Sequence, residues 1–149
     1  MKRDRCILVA EDDENDVTFL QRAFARAEVR NPLHFVPDGQ AAIDYLSGTG
    51  AYSDRNQHPL PGLVLLDLKM PRKTGMDVLK WVRGQEAFRC LPTIIFSSST
   101  HPDEIETAYR NGVNAFVTKP SGMPERTELA RMIKGFWLTF NEFPSVHSP

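Results

Sequence analysis

Five short apolar runs punctuate the chain: Cys6–Ala10, Leu33–Val36, Leu63–Leu66, Thr93–Phe96 and Ala115–Thr118. They are nearly continuous in apolar residues rather than alternating, the pattern of strands buried on both faces. Between them apolar residues recur at helical steps of three or four. Val17, Leu20, Phe24 and Ala27 do so, as do Val78, Leu79 and Val82, and then Ile105, Ala108 and Tyr109. Strands alternating with helices imply parallel β-α units joined by right-handed crossovers. Five such units predict an α/β fold, a doubly wound five-stranded parallel sheet of flavodoxin-like order 2-1-3-4-5.

The breakers agree with these boundaries. Asn31-Pro32 separates the first helix from the second strand, Pro92 opens the fourth strand, and Gly112 follows Asn111 where the fourth helix should stop. At 149 residues the chain has the size of one domain with a real core, about residues 6–138, followed by a C-terminal helix extension and tail. A net charge of −1 offers nucleic-acid binding no support. No apolar run approaches the roughly 20 residues of a membrane-spanning helix, and the stretch after the charged Met1–Arg5 is too short for a signal peptide. Cys6 and Cys90 lie next to strands without CxxC spacing, which suggests buried thiols in a reducing cytoplasm. Ser47 to Pro61 is a long polar loop, either a tolerated insertion or a partner-binding element.

In open α/β sheets ligands bind beyond the carboxyl ends of the strands. There the first strand ends at Glu11-Asp12-Asp13, the third at Asp67, the fourth at Ser97 and the fifth at Lys119-Pro120. Three clustered carboxylates, Glu11, Asp12 and Asp67, repel: two charges about 4 Å apart cost roughly 4 kcal/mol at an effective dielectric of 20. A hard divalent cation such as Mg²⁺ relieves this, with the backbone carbonyl of Lys69 as a further oxygen ligand. Lys119 supplies a compact positive charge able to pair with carboxylate and phosphoryl oxygens. An aspartate can attack phosphorus and hold the group as an acyl phosphate, and such transfer needs mainly positioning and charge neutralisation. The Ser97 hydroxyl could bond a phosphoryl oxygen and draw the following loop inward, coupling charge to surface shape.

Each residue also has a plainer reading. Glu11 to Asp16 could be an acidic helix start, Asp67 a turn residue, Ser97 part of a capping cluster, Lys119 a solvated strand end and Phe116 core. Three other functions compete. A mononucleotide-binding protein needs a Gly- or Ser-rich loop after the first strand, where this chain has Glu11 to Asp16. An aspartate-based phosphatase resembles a pattern with a second acid two residues after the nucleophile, where this chain has Lys69. A phosphate-free, partner-binding version of the fold is disfavoured by the complete set of acids, hydroxyl and lysine. His34 (in a strand), His58 and His101 (in loops) and His147 (in the tail) do not read as kinase-type phosphohistidines.

The motifs Ile7-Leu8-Val9-Ala10-Glu11-Asp12-Asp13, Leu65-Leu66-Asp67-Leu68-Lys69-Met70-Pro71 with Gly75, Ile94-Ile95-Phe96-Ser97-Ser98 and Phe116-Val117-Thr118-Lys119-Pro120 resemble the receiver domains of two-component systems. The resemblance covers about Cys6 to Leu138. It implies a stand-alone response regulator, a signalling switch rather than an enzyme, with Asp67 as phosphoacceptor and Glu11 and Asp12 on Mg²⁺. Ser97 matches the switch hydroxyl, Phe116 the switch aromatic, often tyrosine, and Lys119 the family's lysine. A cis Lys119-Pro120 bond is implied as well. The long loop and the ending Phe136-Trp137-Leu138 … Phe143-Pro144 look like the small regulators paired with bacterial and cyanobacterial phytochromes. The implied partner is therefore a light-responsive histidine kinase, with output through protein contacts or phosphorelay, or a sink role that drains phosphate from the kinase.

Leu129, Met132, Ile133, Phe136, Trp137 and Phe140 fall on one helical stripe that should cover the sheet. Leu138 and a second aromatic face exceed what one covering helix needs, which points to a homodimer through the C-terminal region.

Overall fold

The computed structural model describes residues 5–145; His147 and the first four residues of the charged N-terminus lie outside that range. Strands β1 (Cys6–Ala10), β2 (Leu33–Val36), β3 (Pro61–Leu66), β4 (Thr93–Ser97) and β5 (Ala115–Thr118) form one parallel sheet in the order β2-β1-β3-β4-β5. Successive side chains point to opposite faces of a strand. Ile7, Val9, Leu63, Leu65, Ile94 and Phe96 therefore enter one core layer, and Leu8, Ala10, Val64, Leu66 and Ile95 the other. The continuous apolar runs are two alternations superposed, one for each layer.

Helix α1 (Glu14–Arg26) and α5 (Met123–Met132) cover the first layer; α2 (Gly39–Ser47), α3 (Gly75–Gly84) and α4 (Pro102–Arg110) cover the second. Leu20, Phe24 and Ala27 are buried under α1, as their spacing predicts, and Gly112 takes the left-handed conformation, φ 90°, just after α4. β3 begins two residues earlier than its apolar run, because Pro61 is tolerated as a first strand residue. Of the three α4 positions expected to face inward, Ala108 is buried and Ile105 half-buried, but Tyr109 is exposed. Its hydroxyl accepts a hydrogen bond from the Phe116 N–H at 3.3 Å, on the edge strand β5. Cys6 is buried as expected; Cys90 is exposed, because it sits in the turn before β4 rather than in it.

The segment from Ser47 to Pro61 is packed rather than loose. Arg55 Nη1 donates to the carbonyls of Tyr45 and His58, and its Nη2 to that of Leu46. The rings of His34, Tyr45, Tyr52 and His58 meet at centroid distances of 5.2–6.4 Å. Burial, and then the nearby His58, holds the His34 imidazole below its usual pKa. A depressed folded-state pKa adds stability that is present above the unfolded value of about 6.5 and lost as pH falls through the folded one. Between about pH 7 and pH 5 the urea midpoint of the unsubstituted protein should therefore change less favourably than that of His34→Gln. Equal changes in the two proteins would remove His34 from the explanation.

The C-terminal stripe departs from expectation. After α5 the chain continues through Ile133–Phe140 as a π-helix. The Asn141 N–H donates to the Phe136 carbonyl, and the Thr139 hydroxyl to that of Lys134, each five residues back. The wider turn brings Ile133 and Leu138 into the core together, so Leu138 is not surplus. Met132, Phe136 and Phe140 are turned out instead, at 62, 54 and 78% exposure. No helix among the described residues is long and apolar enough to cross a membrane.

Candidate functional site

The carboxyl ends of β1, β3 and β5 deliver their side chains to one crevice. Asp13 caps α1, accepting from the N–H groups of Asn15 and Asp16, which leaves Glu11 and Asp12 free of the capping role. Ligand oxygens of Glu11, Asp12 and Asp67 lie within 4.8 Å of one another. Glu11 and Asp67 are buried and Asp12 is exposed, so the cluster opens to solvent on one side.

Lys119 ties the acids together. Its Nζ donates to Asp67 Oδ2 at 2.9 Å, to Glu11 Oε1 and Oε2 at 3.0 and 3.1 Å, and to Asp16 Oδ2 at 3.0 Å. Its stem brings the ammonium 5.1 Å from the Phe96 ring centroid. Burial alone would disfavour the charge on Lys119, but the bonds to Asp67, Asp16 and Glu11 prevail and raise its pKa. Burial and the adjacent Asp67 push Glu11 up to about 8, against the pull of Lys119. Asp16 is also penalised by burial, yet Lys119 and Arg126 hold it below the usual carboxylate range. Four acids (Glu11, Asp12, Asp16, Asp67) face two cations (Lys119, Arg126), a formal charge of −4 + 2 = −2 when all are ionised. A divalent cation matches that deficit, and an all-oxygen donor set suits a hard ion. Without one, a proton on Glu11 meets part of it.

Ser97 is buried at the end of β4, beside β3, and its hydroxyl accepts from the Ser99 N–H at 3.1 Å. It does not cap α4; His101 does, accepting from the Asp103 N–H. Phe116 is half-buried against the core layer under α2, α3 and α4. The Lys69 N–H donates to Asp67 Oδ1 at 3.3 Å, which turns the β3–α3 connection back over the aspartate. The Lys119–Pro120 bond is trans, as is every described peptide bond, which corrects the cis expectation. Trans is the ordinary preference even before proline. Asp16 and Arg126 were missed in the sequence. Both belong to helices rather than strand ends, and the one available signal was the second acid in the first turn of α1, in register with the crevice.

An open parallel α/β sheet whose strand ends gather an acid cluster, a buried hydroxyl and a lysine defines a receiver-type signalling module. Comparison with known proteins agrees. The response regulator receiver domain family matches residues 7–133, and the chain belongs to that family. The probable methanogenesis regulatory protein FilR2 of Methanothrix harundinacea is 33% identical over 138 residues, covering 93% of this chain and 86% of that one. Response regulator Rcp1 of Synechocystis is 28% identical over 142 residues, covering 95% of each. Among solved structures, the response regulator RPA3017 in red light signalling of R. palustris superposes with a TM-score of 0.90 at 37% identity, covering 95% of this chain and 99% of that one. The phosphorylated cyanobacterial phytochrome response regulator RcpA gives 0.87 at 30%, and the Mn²⁺-bound form of Rcp1 gives 0.84 at 28%, with the same coverages. The chain is thus a receiver-domain response regulator close to the phytochrome-associated ones.

Proposed function

We propose that Asp67 accepts a phosphoryl group from a histidine kinase of the phytochrome class, in a Mg²⁺-dependent reaction. A carboxylate oxygen of Asp67 attacks phosphorus, the P–N bond of the phosphohistidine breaks, and the leaving imidazole recovers its nitrogen lone pair. Glu11, Asp12, Asp67 and the Lys69 carbonyl would hold the ion, which when bound neutralises charge on the phosphoryl oxygens. Lys119 holds a positive charge 2.9 Å from the attacking carboxylate. The Ser97 hydroxyl, which accepts from the Ser99 N–H, donates its own proton to a phosphoryl oxygen and draws the loop after β4 inward, and Phe116, with no hydroxyl of its own, fills the space that movement leaves. The observation that carries this reading is the convergence of Lys119 on Asp67 beside Glu11 and Asp12. Its test is transfer from a purified, autophosphorylated phytochrome kinase. Label moving to this protein within minutes and only with Mg²⁺ supports the pairing. Transfer from an unrelated kinase alone would leave the receiver chemistry standing and reject the phytochrome partner.

The regulator works in the cytoplasm as a homodimer, and signals through protein contacts or phosphorelay. Met132, Phe136 and Phe140 present three large apolar side chains at steps of four, a patch more easily covered by a second copy than left in water. Light scattering at tens of micromolar should give a dimer mass, and Phe136→Glu with Phe140→Glu a folded monomer, less stable by the share that association contributes. A monomeric unsubstituted protein would end the dimer proposal.

A further inference from the structure

Two residues outside the metal cluster hold Lys119 in place. Asp16 accepts from Lys119 Nζ through Oδ2, while its Oδ1 accepts from Arg126 Nη2 at 3.3 Å. Arg126 Nε donates at 2.9 Å to the carbonyl of Pro120, the residue after Lys119. The guanidinium lies over the Phe19 ring, 4.6 Å from its centroid, and the side chain is 15% exposed. One side chain of α5 therefore touches both a partner of the lysine's ammonium and the main chain beside the lysine. This needs a planar fork of donors, which arginine has and lysine lacks.

We propose that Arg126 is a positioning residue: through Asp16 and the Pro120 carbonyl it keeps the Lys119 ammonium within reach of Asp67. The inference rests on the phosphoacceptor reading above. An ammonium has three N–H donors, and Lys119 faces four carboxylate oxygens. Glu11 and Asp67 are the partners that an ion and a phosphoryl group claim. Asp16 is the partner that neither claims, so it alone can keep hold of the lysine throughout transfer. Its carboxylate is 23% exposed, and without Arg126 it is free to turn to solvent and release the flexible stem of Lys119. The same contacts join α1, α5 and the β5–α5 connection at one point, so a shift of Lys119 onto a phosphoryl group is felt by both helices.

The test compares phosphorylation rate with Mg²⁺ affinity. With acetyl phosphate at saturating Mg²⁺, Arg126→Gln should slow phosphate uptake about tenfold, a loss typical of a misplaced catalytic charge. Mg²⁺ affinity by calorimetry should not fall, because Glu11, Asp12 and Asp67 are untouched and a released Lys119 competes less for them. Arg126→Lys should recover only part of the rate, since it keeps the charge and loses the fork. Asp16→Asn should slow uptake to a similar degree, and the double variant should be little slower than the slower single one, as expected of residues acting in series. If rate and Mg²⁺ affinity fall together, or Arg126→Gln keeps the unsubstituted rate, the inference is overturned while the phosphoacceptor reading stands. An unsubstituted protein that takes up no phosphate overturns both.

Discussion

Lys119→Met lowers the stability of the Mg²⁺-free protein and enlarges the stabilisation that Mg²⁺ confers. In the resting site one ammonium bridges three carboxylates, and its side chain is only 12% exposed. Removing one partner from such a buried arrangement costs about 3–5 kcal/mol when the remaining charge has no outlet. Here it has one: Glu11, already pushed up to about 8, takes a proton fully, and Asp12 opens to water. The expected loss is therefore about 1–3 kcal/mol. The same change removes the cation that competes with the ion for Glu11 and Asp67, so the rise in urea midpoint on adding Mg²⁺ should exceed that of the unsubstituted protein. Phosphorylation should slow about a hundredfold, the loss expected when one preorganised charge is removed. A variant with an unchanged midpoint and an unchanged response to Mg²⁺ would show that Lys119 does not hold the acids together.

Gly75→Ala should disturb the site through the backbone. A Cβ at Gly75 would lie 2.1 Å from the Asp67 carbonyl oxygen and 3.0 Å from the Leu68 Cα. These are main-chain atoms, so either the start of α3 or the end of β3 must move. The Gly75 N–H also donates to the Leu68 carbonyl at 3.0 Å, a bond that the shift would strain. Overpacking of this kind costs about 1–3 kcal/mol. Because the displaced segment carries Asp67, Mg²⁺ affinity should fall as well. Gly84, at the far end of α3, is the control. A Cβ there meets nothing within 4 Å, so Gly84→Ala should leave both quantities close to the original. Equal stability and equal Mg²⁺ affinity for the two alanine variants would refute the close-approach argument.

Strand ends made the core of the site readable in advance. A parallel sheet sends its carboxyl termini to one edge, so Glu11, Asp67 and Lys119 could be placed together before any distance was known. The same logic could not reach Asp16 and Arg126. Their approach to Lys119 depends on how α1 and α5 pack, and periodicity does not encode that crossing. The stripe over Leu129 to Phe140 was visible, but its division into a buried and an outward face was not. A helical template assumes i→i+4 bonding, and the π-helix over Ile133–Phe140 replaces it. Tyr109 sat on an apolar template position, yet its hydroxyl serves the open edge of β5, where an unpaired N–H needs an acceptor.

The most direct test is the intact mass of the protein after incubation with acetyl phosphate, with and without Mg²⁺, beside Asp67→Asn. One phosphate per chain, formed only with Mg²⁺ and absent from Asp67→Asn, is the predicted result. An adduct that persists in folded Asp67→Asn, or that forms equally without Mg²⁺, would contradict the assignment of Asp67 as the phosphoacceptor.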